Sequence, residues 1–358
     1  MIRRRKTRKI RVGSAFVGGN APVSVQSMTN TDTRDVWSTL RQIRSLAKAG
    51  CEIVRVAVPD AAAAKAFGRI RAGCPLPLVA DIHFDHRLAI ACADAGADCL
   101  RINPGNIGGE SRTREVLRAA KANGCAVRIG VNAGSLEKDL LARYGGPTAA
   151  ALAESAERAV RLCERNRFRR LKFSLKASDV PTTVQSYRIF SSRFDYPLHI
   201  GVTEAGTLFS GTVKSAVGLG ILLAEGIGDT LRVSITGPPE EEVRIGWRIL
   251  SSLGIRKRGP EFVSCPTCGR VSIDVVGIAS EVERRLSRLP GSLKVAVMGC
   301  AVNGPGEAKE ADVGVAGGRG EGLIFVRGRV VKKVQEKDIV AELVRYANRA
   351  AAESGRKP

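Results

Sequence analysis

Hydrophobic and polar positions alternate in a regular way from about residue 22 to residue 255. Short runs rich in Val, Ile and Leu are followed by longer segments with apolar residues on one helical face, such as Leu152, Ala156, Ala159, Val160 and Cys163. The pattern predicts eight strands, each followed by a helix. The predicted strands are 22–28, 51–58, 78–82, 98–102, 126–131, 171–175, 198–202 and 231–235, and the predicted helices are 36–49, 61–72, 86–95, 111–123, 148–165, 180–193, 213–225 and 240–253.

Strands that alternate with helices indicate a parallel sheet with right-handed crossovers. Eight such units in about 230 residues favour a closed (β/α)8 TIM-like barrel. A doubly wound open sheet is the alternative. Its dinucleotide-binding version is disfavoured because no Gly-x-Gly-x-x-Gly follows the first predicted strand.

The pattern changes after Gly254, where a basic, turn-rich segment begins. The remaining chain predicts a small α+β domain, with helices at 276–288 and 338–352 and strands at 293–298, 313–315 and 323–326. The predicted organisation is therefore a barrel domain over 1–255, a linker over 256–264 and a second domain over 265–358.

Composition narrows the possible functions. With 44% hydrophobic residues and no run of about 20 apolar residues, the chain is typical of a globular protein without a transmembrane segment. The basic start lacks the apolar segment of a secretory signal, so we expect a cytoplasmic protein. The net charge of +22 favours anionic partners, either nucleic acid, anionic lipid or small phosphorylated molecules. Only 4% of the residues are aromatic, which disfavours base stacking on nucleic acid.

Polar or charged residues lie at or near the ends of all eight predicted barrel strands, whose carboxyl ends should meet at one mouth. Guanidinium groups match phosphate oxygens and keep their charge when buried, and side-chain amides add further contacts. The pattern therefore predicts a diphosphate site. Its predicted cationic and amide residues are Arg55, Arg101, Asn103, Arg128, Asn132 and Lys176.

Two carboxylates, Asp81 and Glu204, are predicted at the same mouth and could supply acid/base chemistry. The alternative is an internal network of ion pairs between these acids and the arginines. Four cations against two anions would leave part of the positive charge unmatched. Ser234 lies at the end of the eighth predicted strand and completes the candidate set.

The nine cysteines fall into two groups. Six lie in apolar patterns of the first half and are interpreted as small buried residues. The spacing Cys265-x-x-Cys268 is compatible with zinc, a redox dithiol or iron–sulfur. Zinc would need a fourth Cys or His, and a dithiol would not need Cys300, so a three-cysteine iron–sulfur site with one distinctive iron is favoured. Glu307 is the best candidate for its fourth ligand, although a surface carboxylate remains possible.

Long motifs along most of the chain closely resemble the 4-hydroxy-3-methylbut-2-en-1-yl diphosphate synthase family. The resemblance implies a TIM-like barrel followed by a [4Fe–4S] domain, in a homodimer in which the cluster domain of one chain caps the partner's barrel. The motifs are VQSMTNTDT (25–33), ADIHFD (80–85), RINPGNIG (101–108), RIGVNAGSLE (128–137), VTEAG (202–206), EGIGDTLRVS (225–234), CPTCGR (265–270) and GCAVNGPGE (299–307).

The resemblance also implies a reaction. The substrate would be 2-C-methyl-D-erythritol 2,4-cyclodiphosphate, reductively opened and dehydrated with two electrons from flavodoxin or ferredoxin. Cys265, Cys268, Cys300 and Glu307 would hold the cluster, while Asp81, Glu204 and Ser234 would line the reacting end. The diphosphate ligands implied by the family are Arg55, Arg101, Asn103, Arg128, Asn132 and Lys176. The alternative function, a basic nucleic-acid-binding protein with a structural metal site, is disfavoured by the missing fourth zinc ligand and by the few aromatic residues.

Overall fold

The chain forms two compact units, Met1–Arg256 and Lys257–Pro358, in a computed structural model. The structure describes residues 2–287, 289, 291–300, 306 and 310–354.

The first unit is a barrel of eight parallel strands, which follow a short antiparallel hairpin, β1 (Ile10–Val12) and β2 (Ala15–Val17). The spatial order is β8-β7-β6-β5-β4-β3-β10-β9, and all pairs are parallel. A parallel bridge between Phe173 and Leu198 links the two ends of this order and closes the barrel. The strands are β3 (Ser24–Met28), β4 (Ile53–Ala57), β5 (Leu78–Asp81), β6 (Cys99–Ile102), β7 (Ala126–Asn132), β8 (Leu171–Lys176), β9 (His199–Ile200) and β10 (Thr230–Leu231).

Nine helices belong to the described part of this unit. Several begin at a residue whose side chain accepts a hydrogen bond from a backbone N–H of the first turn, as Asp35, Asp60 and Thr148 do, and helix α1 ends at Gly50 in the left-handed conformation. The helices are α1 (Val36–Ala49), α2 (Ala61–Gly73), α3 (His86–Asp94), α4 (Gly109–Ala122), α5 (Lys138–Tyr144), α6 (Ala149–Arg165), α7 (Val180–Arg193), α8 (Leu208–Ala224) and α9 (Pro239–Ser252).

The β1–β2 hairpin covers the amino-terminal end of the barrel. Its apolar residues Ile10, Val12 and Val17 form one buried cluster with residues at the beginnings of four strands, namely Ile53, Val79, Cys99 and Ala126. Because this end is filled with apolar side chains, the polar residues of the interior lie toward the opposite, carboxyl-terminal mouth.

In its described part, the second unit is a five-stranded mixed sheet with two helices packed on one face. Strands β11, β12 and β13 are parallel neighbours, whereas β13, β14 and β15 are antiparallel. The helices α10 and α11 share a buried apolar cluster with β12–β14. The elements are β11 (Glu261–Ser264), α10 (Val275–Leu286), β12 (Lys294–Met298), β13 (Val313–Gly318), β14 (Glu321–Val326), β15 (Arg329–Gln335) and α11 (Ile339–Ser354).

The predicted barrel followed by a small α+β unit is confirmed. The differences are local. The seventh and eighth strands have only two residues each, because the chain leaves the sheet early and enters the loops that carry Glu204 and Ser234. The expected linker 256–264 contains β11, which pairs with β12 and so belongs to the second sheet. Strand β15, helix α5 and the β1–β2 hairpin were not predicted.

No helix among the described residues has the length and apolar character needed to cross a membrane.

Candidate active site

The interior of the barrel is strongly polar because alternate residues of the strands point inward. In β8, Leu171, Phe173 and Leu175 belong to the core shared with the helices, so Lys172 and Lys176 face the interior. The strand register places cations side by side, since Asp81 pairs with Arg101, Arg101 with Arg128, and Arg128 with Lys172. One row of inward side chains therefore carries three positive charges and one negative charge.

Asp81 is the centre of an ion-pair group at the mouth. Its carboxylate lies 3.3 Å from Nη1 of Arg101, 3.6 Å from Nε of Arg55 and 3.5 Å from Nε2 of His83. Burial would raise the pKa of Asp81, but the guanidinium of Arg55, the hydrogen bond with His83 and the charge of Arg101 outweigh it and hold that pKa below its usual value. Asp81 is therefore a carboxylate at neutral pH and is a counter-ion to the cations around it.

A second ion pair was not predicted. Arg232, one residue beyond β10, binds the buried Glu242 of α9 through two hydrogen bonds, Nε to Oε2 at 3.1 Å and Nη2 to Oε1 at 3.0 Å. Glu242 also accepts hydrogen bonds from Oγ of Ser27 at 2.9 Å and from the backbone N–H of Ile235 at 3.3 Å. The carboxylate thereby fixes both the Arg232 fork and the loop that follows it.

Three inward cations have no such partner. Among the described residues, no carboxylate lies within ion-pair distance of Arg128, Lys172 or Lys176, although all three are buried. Burial lowers the pKa of Arg128 to about 10 and holds the pKa of Lys176 well below its ordinary value. Unpaired buried cations are costly, so this region is built to receive an anion. The alternative of an internal ion-pair network applies to Asp81, which pairs with Arg55 and Arg101, but Glu204 forms no ion pair in the described part of the chain. These three charges therefore stay unmatched.

Two glycines make room for the cationic side chains. A Cβ atom at Gly130 would lie 2.5 Å from Nε of Arg101, and one at Gly201 would lie 2.4 Å from Nζ of Lys176. Side-chain atoms cannot approach so closely, so a larger residue would displace these cations, and at Gly201 it would also clash with the carbonyl oxygen of Arg232 at 2.5 Å. The lack of a side chain at Gly130 and at Gly201 therefore has a steric reason.

The two predicted asparagines have different surroundings. With its amide turned so that the oxygen faces the guanidinium, Asn132 accepts a hydrogen bond from Nη2 of Arg101 at 2.8 Å. Asn103 instead stabilises loops, since its Nδ2 lies 3.2 Å from Oγ of Ser135 and its Oδ1 accepts from the N–H of Gly105 at 3.1 Å. Asn132 belongs to the cation cluster, while Asn103 supports the adjoining loops.

Glu204 and Ser234 lie in the loops after β9 and β10. Glu204 is exposed and has a φ of 51°, a left-handed conformation that non-glycine residues seldom adopt. In the described part of the chain its carboxylate has neither an ion pair nor a hydrogen bond. Ser234 is half-buried and lies between Arg232 and Ile235, both of which Glu242 holds. Backbone strain at an exposed carboxylate is compatible with a functional role but does not define one.

In the second unit, adjacent parallel strands deliver two cysteines to the same sheet edge. Cys265 follows β11, and Cys300 follows β12 after one glycine. The backbone N–H of Gly299 donates to Sγ of Cys265 at 3.2 Å, and the N–H of Cys265 donates to the carbonyl of Val297 at 3.3 Å. Cys268 is exposed three residues further along.

Within the described ranges, no group of three or more His, Cys, Asp or Glu side chains has the arrangement of a metal site. Glu307 lies outside the described residues, so its predicted place beside the cysteines stays a prediction.

Lys172, Arg232 and Glu242 were missed from the sequence. Lys172 and Lys176 are an even number of residues apart in β8 and therefore lie on the same face of the strand. This spacing could have identified Lys172 as a second inward lysine. Arg232 was not predicted because the predicted strand 231–235 extends beyond it, so that Ser234 rather than Arg232 was placed at the strand end. Glu242 belongs to the acidic run Glu240–Glu242, which is typical of a helix N-terminus and does not indicate a buried partner.

The closed parallel barrel, its cationic mouth and its early-ending strands define an enzyme of the TIM-barrel class. The chain matches the GcpE TIM-barrel domain over residues 7–247 and the GcpE protein C-terminal domain over residues 261–349. It belongs to the GcpE family, that of the 4-hydroxy-3-methylbut-2-en-1-yl diphosphate synthases.

Two similar relatives illustrate the family. The chain is 60% identical to 4-hydroxy-3-methylbut-2-en-1-yl diphosphate synthase (flavodoxin) of Geobacter sulfurreducens over 97% of this chain and 99% of that protein. It is 57% identical to the protein of the same name from Maridesulfovibrio salexigens over 96% of this chain and 97% of that protein. Among solved structures, the dihydropteroate synthase of Yersinia pestis shares the barrel fold, with a TM-score of 0.50 and 13% identity over 69% of this chain and 98% of that one.

The family confirms the predicted oxidoreductase of isoprenoid precursor synthesis. It does not favour the alternative of a nucleic-acid-binding protein.

Proposed function

We propose that the barrel mouth binds 2-C-methyl-D-erythritol 2,4-cyclodiphosphate and that the enzyme opens and dehydrates it to (E)-4-hydroxy-3-methylbut-2-enyl diphosphate. The observation that carries this proposal is the set of inward cations Arg128, Lys172 and Lys176, for which the described residues provide no counter-ion. A diphosphate supplies the missing negative charge, and guanidinium groups bind its oxygens in pairs. The names of the relatives supply the identity of the product.

The reaction is a reduction. The ring C–O bond to phosphate breaks, one hydroxyl oxygen leaves as water, and the balance requires two electrons and two protons. Side chains of the ordinary amino acids do not deliver electrons at low potential, whereas an iron–sulfur cluster does. We propose that Cys265, Cys268, Cys300 and Glu307 hold a [4Fe–4S] cluster, which supplies these electrons when bound.

Part of this ligand set is supported by the structure of the second unit. The register of β11 and β12 brings Cys265 and Cys300 to one edge, and the N–H of Gly299 donates to the Cys265 sulfur. A backbone N–H directed at sulfur is the kind of contact that tunes a cluster thiolate. A Cβ atom at Gly299 would lie 2.3 Å from Cγ2 of Val275, so only glycine fits between strand and cysteine.

In the barrel, the chain's own residues position the substrate. Asp81 orients the guanidinium groups of Arg55 and Arg101, and Glu242 orients that of Arg232. These groups are therefore fixed in position before the ligand binds. Preorganised charge stabilises a developing anion without reorganisation at the moment of reaction. Glu204 is the proposed acid/base group, supported by its exposed position on a loop at the carboxyl end of the barrel.

We propose flavodoxin as the electron donor, since the names of the relatives specify it. The nine cysteines, three of them proposed cluster ligands, fit the reducing cytoplasm as the place of action. We further propose the domain boundary near Arg256, where the two compact units divide and between the two family matches.

We propose that the enzyme is a homodimer that pairs through α8. The helix carries a single charged residue, and Phe209, Val213, Val217 and Ile221 form an exposed apolar stripe at intervals of four. In a protein with 57 basic residues, this uncharged face is one that a second copy can approach without repulsion. V213K/V217K should convert the dimer to a monomer in light scattering, whereas an unchanged mass would exclude this face. That the partner's second unit caps the barrel stays a prediction.

The cofactor and the reaction can be tested together. Anaerobically prepared protein should contain about four irons per chain on the cubane assignment, and Cys300→Ser should lose most of this iron. Reduced flavodoxin should then drive conversion of the cyclic diphosphate. A protein that binds zinc instead of iron, or that leaves the cyclic diphosphate unchanged with full iron content, would contradict the proposal.

A further inference from the structure

Lys172 is a fully buried lysine in the middle of the barrel. It is 0% exposed, and among the described residues its ammonium group has no hydrogen-bond partner and no carboxylate within ion-pair distance. Its inward direction follows from its neighbours in β8, because Leu171 and Phe173 belong to the core and Phe173 packs 4.9 Å from the ring of Phe190 on α7.

The strand register places Lys172 beside a residue of the diphosphate site. Its pair on β7 is Arg128, whose Nε and Nη1 atoms also have no partner among the described residues, and whose own pair on β6 is Arg101. Like charges on directly opposed positions repel each other. An anion bound between or above these cations would relieve the repulsion.

The surroundings of Lys172 disfavour its charged form. Burial is the main cause that lowers its pKa, to about 8, while the neighbouring Cys99 thiol opposes this shift and the charge of Arg128 adds to it. Nearby carboxylates do not compensate it, because Asp81 is shared by Arg55 and Arg101 and Glu242 is bound to Arg232. A methionine of similar length would fill the same space without the cost of a buried charge.

We propose that Lys172 supplies a further positive charge for binding the diphosphate group, next to Arg128, and that it is retained for this charge at the expense of stability. The inference rests on the proposed function, because it takes the cyclic diphosphate as the ligand. It adds a residue that lies four residues before Lys176 in β8 and therefore deeper in the barrel.

Two effects of opposite sign distinguish this role from a structural one. Lys172→Met should weaken binding of the cyclic diphosphate roughly ten- to hundredfold, as expected for loss of one charged hydrogen bond. The same variant, free of ligand, should unfold at an equal or higher temperature, because an unpaired buried charge has been removed. Lys172→Arg should restore most of the affinity.

The experiment is isothermal titration of the anaerobically prepared enzyme with the cyclic diphosphate, and with inorganic pyrophosphate as a second probe, at one fixed ionic strength. Lys65→Met, at an exposed position of α2, is the matched control and should bind like the unaltered enzyme. Arg128→Met tests the underlying proposal independently.

The results separate the two proposals. If Lys172→Met binds as tightly as Lys65→Met while Arg128→Met is impaired, the role of Lys172 is refuted and the proposed function stands. If Arg128→Met also binds normally, the proposed function itself fails. If Lys172→Met and Lys172→Arg both lose binding and thermal stability together, Lys172 is a structural residue and the inference is overturned.

Discussion

The buried carboxylate of Glu242 allows a quantitative test of how the mouth is organised. It accepts four hydrogen bonds, two from Arg232 and one each from Ser27 and Ile235. In Glu242→Gln the new NH2 group fits best in place of Oε2, because the Ser27 hydroxyl can rotate to accept from it. The Nε–H of Arg232 then faces a donor, and the guanidinium loses its counter-charge in a region that is already strongly positive.

The expected magnitude follows from these contacts. A hydrogen bond to a charged group contributes about 1.5–3 kcal/mol, and leaving one member of a buried ion pair unmatched adds to the loss. We therefore expect Glu242→Gln to destabilise the barrel by about 2–4 kcal/mol. For a domain of this size the midpoint of thermal unfolding should fall by roughly 4–16 °C.

Calorimetry or circular dichroism of the barrel transition measures this shift. The matched control is Glu225→Gln, which removes the carboxylate of another two-point pair, with Arg188, on the surface between α7 and the end of α8. Water screens that exposed pair, so little change is expected. The double variant R232M/E242Q should be more stable than E242Q alone because the unmatched charge is gone. If Glu242→Gln unfolds at the same temperature as Glu225→Gln, the ion pair does not organise the mouth.

Two further predictions concern the same site. Gly201→Ala should greatly weaken binding of the cyclic diphosphate, because the new Cβ would lie 2.4 Å from Nζ of Lys176. The control is Gly134→Ala, whose new Cβ would meet nothing within 4 Å and which should bind normally in the same titration. Equal affinities of the two variants would contradict the steric argument. If each active site uses the barrel of one chain and the cluster of its partner, mixing inactive Arg128→Met and Cys300→Ser chains should recover up to about a quarter of the wild-type turnover. No recovery in verified mixed dimers would mean that each chain works alone.

Most of the barrel could be predicted because its signals are local. Strand and helix positions follow from apolar periods, and Gly50 and the capping residues Asp35 and Asp60 mark helix ends in the sequence. The β1–β2 hairpin was missed because its strands have three residues each and lie in a strongly basic segment. The burial of its apolar residues becomes evident only in the folded barrel, whose amino-terminal end they cover.

The cationic residues of the mouth could be predicted in part, but the partners that hold them could not. Arg55, Arg101 and Arg128 interrupt apolar strands, which makes them conspicuous in the sequence. The partners that hold them come from distant segments, as Glu242 does for Arg232, and no local pattern encodes such a pair. The buried, unpaired state of Lys172 depends on the register between β7 and β8, which the sequence does not specify.

The most direct test of the central claim is a single turnover without any partner protein. Chemically reduced, anaerobically prepared enzyme is mixed with an equal amount of 2-C-methyl-D-erythritol 2,4-cyclodiphosphate, and the products are followed by phosphorus NMR. We predict conversion of the cyclic diphosphate to a linear allylic diphosphate, with conversion lost in both Arg128→Met and Cys300→Ser. A cyclic diphosphate that stays intact on iron-loaded, reduced enzyme, or conversion that persists in Arg128→Met, would contradict the account.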